Sequence, residues 1–218
     1  MEGRGDEEGG RRGGPLLRVN GTVALTYDDG PDRVWTPRIL QALRRPGARA
    51  TFFVQARRAT AHADLVEEMV EDGHEVGFHC LDHIRHSQRT DAGVASDLAI
   101  GLEMLDRLGV RPCSWRAPWG IETDATRRLV ARRALRLWGW NVDTHDWRGD
   151  PAERMFAALA GQGGLRDGDV VLMHDGIGPG ALRDGCAATV ELTEMLLAEA
   201  AAGGLETTTL SAAKGVLA

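Results

Sequence analysis

Five polar groupings carry residue types suited to metal-assisted hydrolysis: Asp28-Asp29, His79 with His83, Arg116, Asp143 with Asp146, and His174-Asp175. Each grouping begins directly after an apolar, strand-like run. On an extended strand the adjacent Asp28 and Asp29 point to opposite sides, and Gly30-Pro31 turns the chain after them. One could then bind a metal while the other handles protons; an acidic surface turn is the alternative reading. His79 and His83 are four residues apart, a spacing that a helical turn brings to one face, within reach of one metal. A carboxylate such as Asp29 would complete a His-His-carboxylate set with positions left open for water and substrate. A pair of surface or core histidines is the other reading. His86 could share the same face and ranks below both. Cys80, next to His79, reads as a buried structural thiol. His62 and His74 lack clustered partners and read as structural.

In WRAPWG, Arg116 ends a predicted strand, Pro118 stiffens the following turn and Gly120 relaxes it. Its guanidinium could hold a carboxylate as a bidentate pair or could sit at the surface of a tight turn. In NVDTHDW, Asp143, Asp146 and Trp147 form either part of a site or an ordinary acidic loop. His174 follows the apolar run VVLM, so it closes a buried strand. There it could donate a proton or be a core histidine satisfied by a carbonyl.

Short β-branched runs alternate with amphipathic stretches, the pattern of parallel strands joined by helices. Strands are expected at 22–27, 50–54, 75–78, 114–116, 137–142, 170–173 and 207–210. Helices are expected at 36–43, 65–71, 95–108, 124–134, 151–159 and 187–201. Gly73, Gly109 and Gly203 follow expected helices, where a glycine can turn left-handed. This grammar fits a βα barrel or a doubly wound sheet. In a barrel the carboxyl ends of all strands meet at one face, so clusters remote in sequence would converge there.

At 218 residues and 43% hydrophobic, the chain suits a single domain. We expect a charged, glycine-rich disordered arm over 1–20 and one catalytic domain over 21–218. The net charge of −6, with no basic block, offers no footprint for nucleic acid or an anionic membrane. No apolar run is long enough to span a bilayer, and no obligate protein partner is evident. The three cysteines lack CxxC spacing, which argues against a disulfide framework or a four-cysteine zinc site. The lone lysine, Lys214, leaves no group for Schiff-base or P-loop chemistry. The N-terminal stretch has no apolar segment of the kind a secretory signal needs, so a cytoplasmic location is the expectation.

Across Val23 to Leu210 the chain resembles the polysaccharide deacetylase family, carbohydrate esterase family 4. TYDDGP is similar to the family's opening TFDDGP, and HCLDH shares the two histidines of its H-S/T-x-x-H. WRAPWG resembles its R-x-P-x-G motif, WNVDTHDW its aspartate-tryptophan motif and VVLMHD its closing L-x-H. The resemblance implies a distorted, incomplete parallel βα barrel of about seven strands. It implies a deacetylase that hydrolyses the N-acetyl amide of an amino sugar, an amino-sugar-containing metabolite or another small amide. The implied cofactor is one divalent metal, zinc first, with Co2+, Ni2+ or Fe2+ as alternatives. By position, Asp29, His79 and His83 would hold the metal and Asp28 would be the base, oriented by Arg116. Asp146 would tune His174, the acid, while Leu172 and Trp147 would line the acetyl pocket. Asp143 and Trp119 would face substrate, and Trp119 and Trp35 could stack on a sugar. Cys80, Ala117 and Trp119 depart from the family's usual residues. Because most relatives that act on polysaccharides are exported, a cytoplasmic enzyme would meet a small acetylated metabolite.

Three other readings compete. An O-acetyl esterase is the nearest, since an ester needs less protonation of its leaving group. A non-hydrolytic sugar-binding barrel would keep the fold without turnover. An aspartyl-phosphate phosphatase would need DxD spacing and a usable lysine, which the chain lacks.

Overall fold

A computed structural model describes residues 21–213, so the arm expected at 1–20 and Lys214 lie outside the described residues. Seven parallel strands form one curled sheet. They are β1 (Thr22–Asp28), β2 (Ala50–Gln55), β3 (Glu75–Cys80), β4 (Ser114–Trp115), β5 (Arg136–Leu137), β6 (Val142–Asp143) and β7 (Val170–His174). Their order is β5-β4-β3-β2-β1-β7-β6, and β8 (Glu206–Thr207) adds to β1. Seven helices are α1 (Trp35–Arg44), α2 (Ala56–Ala61), α3 (Ala63–Glu71), α4 (Asp91–Asp106), α5 (Asp124–Arg133), α6 (Ala152–Gly161) and α7 (Ala187–Ala202). This is the open, incomplete parallel βα barrel that the resemblance implies. None of the described helices is long and apolar enough to cross a membrane.

Alternation along the strands decides which side chains reach the site. Val23, Leu25 and Tyr27 of β1, Phe52 and Val54 of β2, Phe78 of β3, and Val171 and Met173 of β7 join one buried cluster with helix residues such as Ile39, Leu98 and Leu196. The intervening Ala24, Phe53 and Val170 pack in a second cluster with Trp138 and Leu210. Because successive strand side chains point to opposite faces, Asp28, Gln55, His79, Leu172 and His174 share the face of this second cluster. Full burial of β2 and near-full burial of β1 and β3 fit a parallel sheet covered on both sides.

Four expectations change. The strand expected over 137–142 is two short strands, β5 on β4 and β6 on β7. Between them, the carbonyls of Trp138 and Gly139 accept from Arg116 at 3.4 and 2.9 Å instead of continuing a ladder. This break is where the barrel stays open. The strand expected at 207–210 ends at Thr207, and α2 falls where no element was expected. Gly73 and Gly109 do turn left-handed, but after α7 the positive φ falls on Gly204, not Gly203.

Candidate active site

β1 ends in Asp28, and the chain leaves the strand through Asp29 at φ 73°. The two carboxylates therefore do not split to opposite faces as an extended strand would dictate, and both line one cleft of about 1220 Å³. The neighbouring strand places His174 beside Asp28 in register. His79 ends β3, and His83 follows in a segment without regular structure, so no helical turn joins them. They converge nonetheless: His83 Nε2 lies 3.2 Å and His79 Nε2 3.6 Å from Asp29 Oδ1. One ligand atom from each of Asp29, His79 and His83 lies within 4.8 Å of the others. His86 is not part of this group; it is buried against Trp115, with Nδ1 2.8 Å from Thr126 Oγ1.

The donor set suits a cation. His79 Nδ1 must donate to the Arg116 carbonyl at 2.8 Å, which turns Nε2 toward Asp29. Burial and the His79 neighbour push His83 down to about 4, so its ring is neutral at pH 7. Burial opposes ionisation of Asp29, but His79, His83 and His174 hold it below the ordinary carboxylate range. Gln55 Nε2 donates to Asp29 Oδ1 at 2.9 Å, and Arg58 Nη1 to its backbone carbonyl at 2.9 Å. One carboxylate oxygen and two imidazole nitrogens are a donor set that fits zinc and leaves coordination positions free.

On one side of this cluster Arg116, fully buried, donates to Asp28 Oδ1 at 2.9 Å and Thr26 Oγ1 at 2.8 Å. The contact is single, not the bidentate pair considered from sequence, because the other guanidinium donors go to Trp138 and Gly139. On the other side His174 Nδ1 lies 2.7 Å from Asp146 Oδ1. Asp146 Oδ2 accepts from the His174 amide at 2.9 Å and Thr189 Oγ1 at 2.8 Å, with Arg183 Nη1 at 3.2 Å. Burial would lower the His174 pKa, but Asp146, with Asp28 and Asp29 beyond it, pushes it up to about 9.

Leu172, Trp147, Asp143 and Trp119 all line the cleft. Asp143 Oδ1 accepts from the His145 amide at 2.9 Å. Trp119, at φ 56°, sets its ring 4.1 Å from His83 and under the Arg85 guanidinium. Trp35 is not among the cleft residues; its ring lies under Arg38 and against Gly185. Asp175, buried, accepts from the Gly30 amide at 3.1 Å and Thr36 Oγ1 at 2.6 Å, tying down the turn that carries Asp29. Burial pushes its carboxyl up to about 7.

Sequence reasoning missed Gln55, Arg58, Thr26, Arg183 and Thr189. The inward alternation of β2 could have found Gln55, had the strand been carried one residue further. Arg183 had no local signal.

The profile of the polysaccharide deacetylase family matches residues 18–138. A peptidoglycan-N-acetylglucosamine deacetylase of Bacillus cereus is 32% identical over 156 residues, 71% of this chain and 72% of that protein. A chitooligosaccharide deacetylase of Bradyrhizobium sp. is 33% identical over 175 residues, 78% of this chain and 79% of that protein. Among solved structures, a family 4 carbohydrate esterase from Streptomyces lividans in complex with acetate superposes with a TM-score of 0.78 and is 30% identical, covering 90% of this chain and 96% of that one. A profile match over more than half of the residues, joined by relatives a third identical over most of the chain, shows that this protein belongs to the polysaccharide deacetylase family.

Proposed function

We propose that this chain is a metal-dependent deacetylase that hydrolyses the N-acetyl amide of an amino sugar, yielding acetate and a free amine. The observation that carries the reading is the convergence of Asp29, His79 and His83 beside a carboxylate and a raised-pKa histidine in one cleft. Named relatives act on peptidoglycan N-acetylglucosamine and on chitooligosaccharides, which supports an acetylated amino sugar as substrate.

Asp29, His79 and His83 would hold the ion, with zinc the best match to one carboxylate and two imidazoles. An ion held there would supply Lewis-acid charge for activating water and polarising the acetyl carbonyl. Asp28 accepts the proton that the attacking water loses, and Arg116 fixes its carboxylate for that role. His174, protonated at neutral pH, gives its proton to the amine nitrogen as the C–N bond breaks. Leu172 and Trp147 form an apolar wall suited to the acetyl methyl. The water oxygen and one of its hydrogens leave as acetic acid, which ionises to acetate, while the proton taken up by Asp28 offsets the one that His174 gives to the amine, so the products balance.

The test is mass spectrometry for the loss of one acetyl unit from a panel of N-acetyl amino sugars, their oligomers and O-acetyl sugars, with and without chelator. Chelator-sensitive loss from N-acetyl substrates is expected. Turnover confined to O-acetyl compounds would favour the esterase, and saturable binding without any acetate release would favour a sugar-binding barrel.

A further inference from the structure

His79 and His83 reach the same point by different means. His79 ends a buried strand, and its Nδ1 is fixed by the Arg116 carbonyl. His83 lies three residues beyond the strand, and its Nδ1 has no hydrogen-bond partner among the described residues. Its ring therefore lacks the outer contact that usually orients a metal-binding imidazole. The backbone between the two histidines supplies a substitute. The successive amides of Leu81 and Asp82 both donate to the carboxylate of Asp97, at 2.9 and 3.1 Å. Asp97 stands on α4, is 4% exposed and has its charge answered by Arg89 Nη2 at 3.0 Å. Arg89 in turn donates to the Gly93 carbonyl at 3.3 Å, so the counter-charge is anchored to the same helix.

We propose that Asp97 is a positioning residue for the metal site: from α4 it clamps two backbone amides and thereby sets where the His83 imidazole stands. A carboxylate accepts two adjacent N–H groups with charge-assisted bonds, whereas a neutral amide in its place accepts only one and turns a donor toward the other. A buried carboxylate that merely joined helix to strand would stabilise the fold without changing the geometry of an ion-binding group. This inference rests on the reading that Asp29, His79 and His83 hold a divalent cation.

The experiment is competition for zinc between a chromophoric chelator and the metal-stripped full chain, for wild type, Asp97→Asn, Asp97→Ala and Arg89→Gln. Circular dichroism of each metal-free variant checks folding. Zinc affinity should fall about tenfold in Asp97→Asn and up to about 100-fold in Asp97→Ala, with a smaller loss in Arg89→Gln. The visible spectrum of the cobalt-loaded Asp97→Asn variant should also differ from wild type. A folded Asp97→Asn variant with wild-type zinc affinity and an unchanged cobalt spectrum would overturn the inference and leave the metal reading intact. If Asp97→Asn does not fold, undiminished affinity in Arg89→Gln would overturn it instead. A wild-type chain that takes up no zinc would overturn the metal reading and this inference with it.

Discussion

Asp28 and Asp146 are both buried carboxylates bonded to a basic side chain, yet they are left in opposite states. Asp146 is saturated: one oxygen meets His174 Nδ1, and the other meets the His174 amide, Thr189 and Arg183. Asp28 is half-used: Arg116, itself braced by Thr26, holds its Oδ1, and Oδ2 has no protein partner among the described residues. The partners differ as well, since arginine keeps its proton under all ordinary conditions and histidine can release one. A free oxygen beside a permanent cation makes an acceptor of protons, whereas a saturated carboxylate beside an imidazole makes that imidazole a donor. The lesson is that one kind of pair yields base or acid according to which partner can titrate and which oxygen is spare.

Breaking the acceptor side should have the largest effect. Asp28→Asn keeps the shape and the Arg116 neighbour but cannot take a proton, so turnover should fall by about 10³-fold or more on amide and ester alike. Elemental analysis should still find zinc in this variant, in contrast to Asp29→Ala or His79→Ala, which should lose it. Equal metal loss in Asp28→Asn would erase the distinction between the two aspartates.

Breaking the donor side should be selective. His174→Ala should reduce amide cleavage by about 10² to 10³-fold and ester cleavage much less, because an alkoxide leaves with less help than an amine. Equal losses on matched N-acetyl and O-acetyl substrates would count against His174 as the acid.

A smaller effect sharpens the comparison. Asp146→Asn removes the charge that raises His174, so the His174 pKa falls from about 9 toward the ordinary 6.5. The acid must be protonated to act, so the alkaline limb of the rate profile should move to lower pH. A limb that stays in place would show that Asp146 does not tune the acid.

The smallest effect is on stability. A histidine whose pKa rises on folding contributes stability that is complete below about 6.5 and is lost as pH climbs through about 9. Urea unfolding of the metal-stripped chain should weaken across that window, and His174→Ala should flatten the slope. An unchanged slope would mean that His174 is not raised in the folded protein.

Much of this was legible because strand ends announce themselves: an apolar run followed by Asp28, His79 or His174 places the polar residue where parallel strands converge. Alternation then selects the inward set, and the family motifs add the roles. What was hidden depends on tertiary contact. His79 and His83 were read as one helical turn, whereas a strand end and an irregular segment bring them together, with Asp97 reaching in from a later helix. Arg183 is one arginine among many in the sequence, and only the fold sets it against Asp146. The break between β5 and β6 was equally invisible, because two tryptophans and a valine look like strand until Arg116 claims the carbonyls.

The central claim, that Asp29, His79 and His83 hold one cation on which hydrolysis depends, is tested most directly by titrating zinc into metal-stripped protein while following acetate release from an N-acetylglucosamine oligomer. The account predicts negligible release at the start and a rise that saturates at one zinc per chain. Full release before any metal is added, or no response to zinc in a chain that turns the oligomer over, would contradict it.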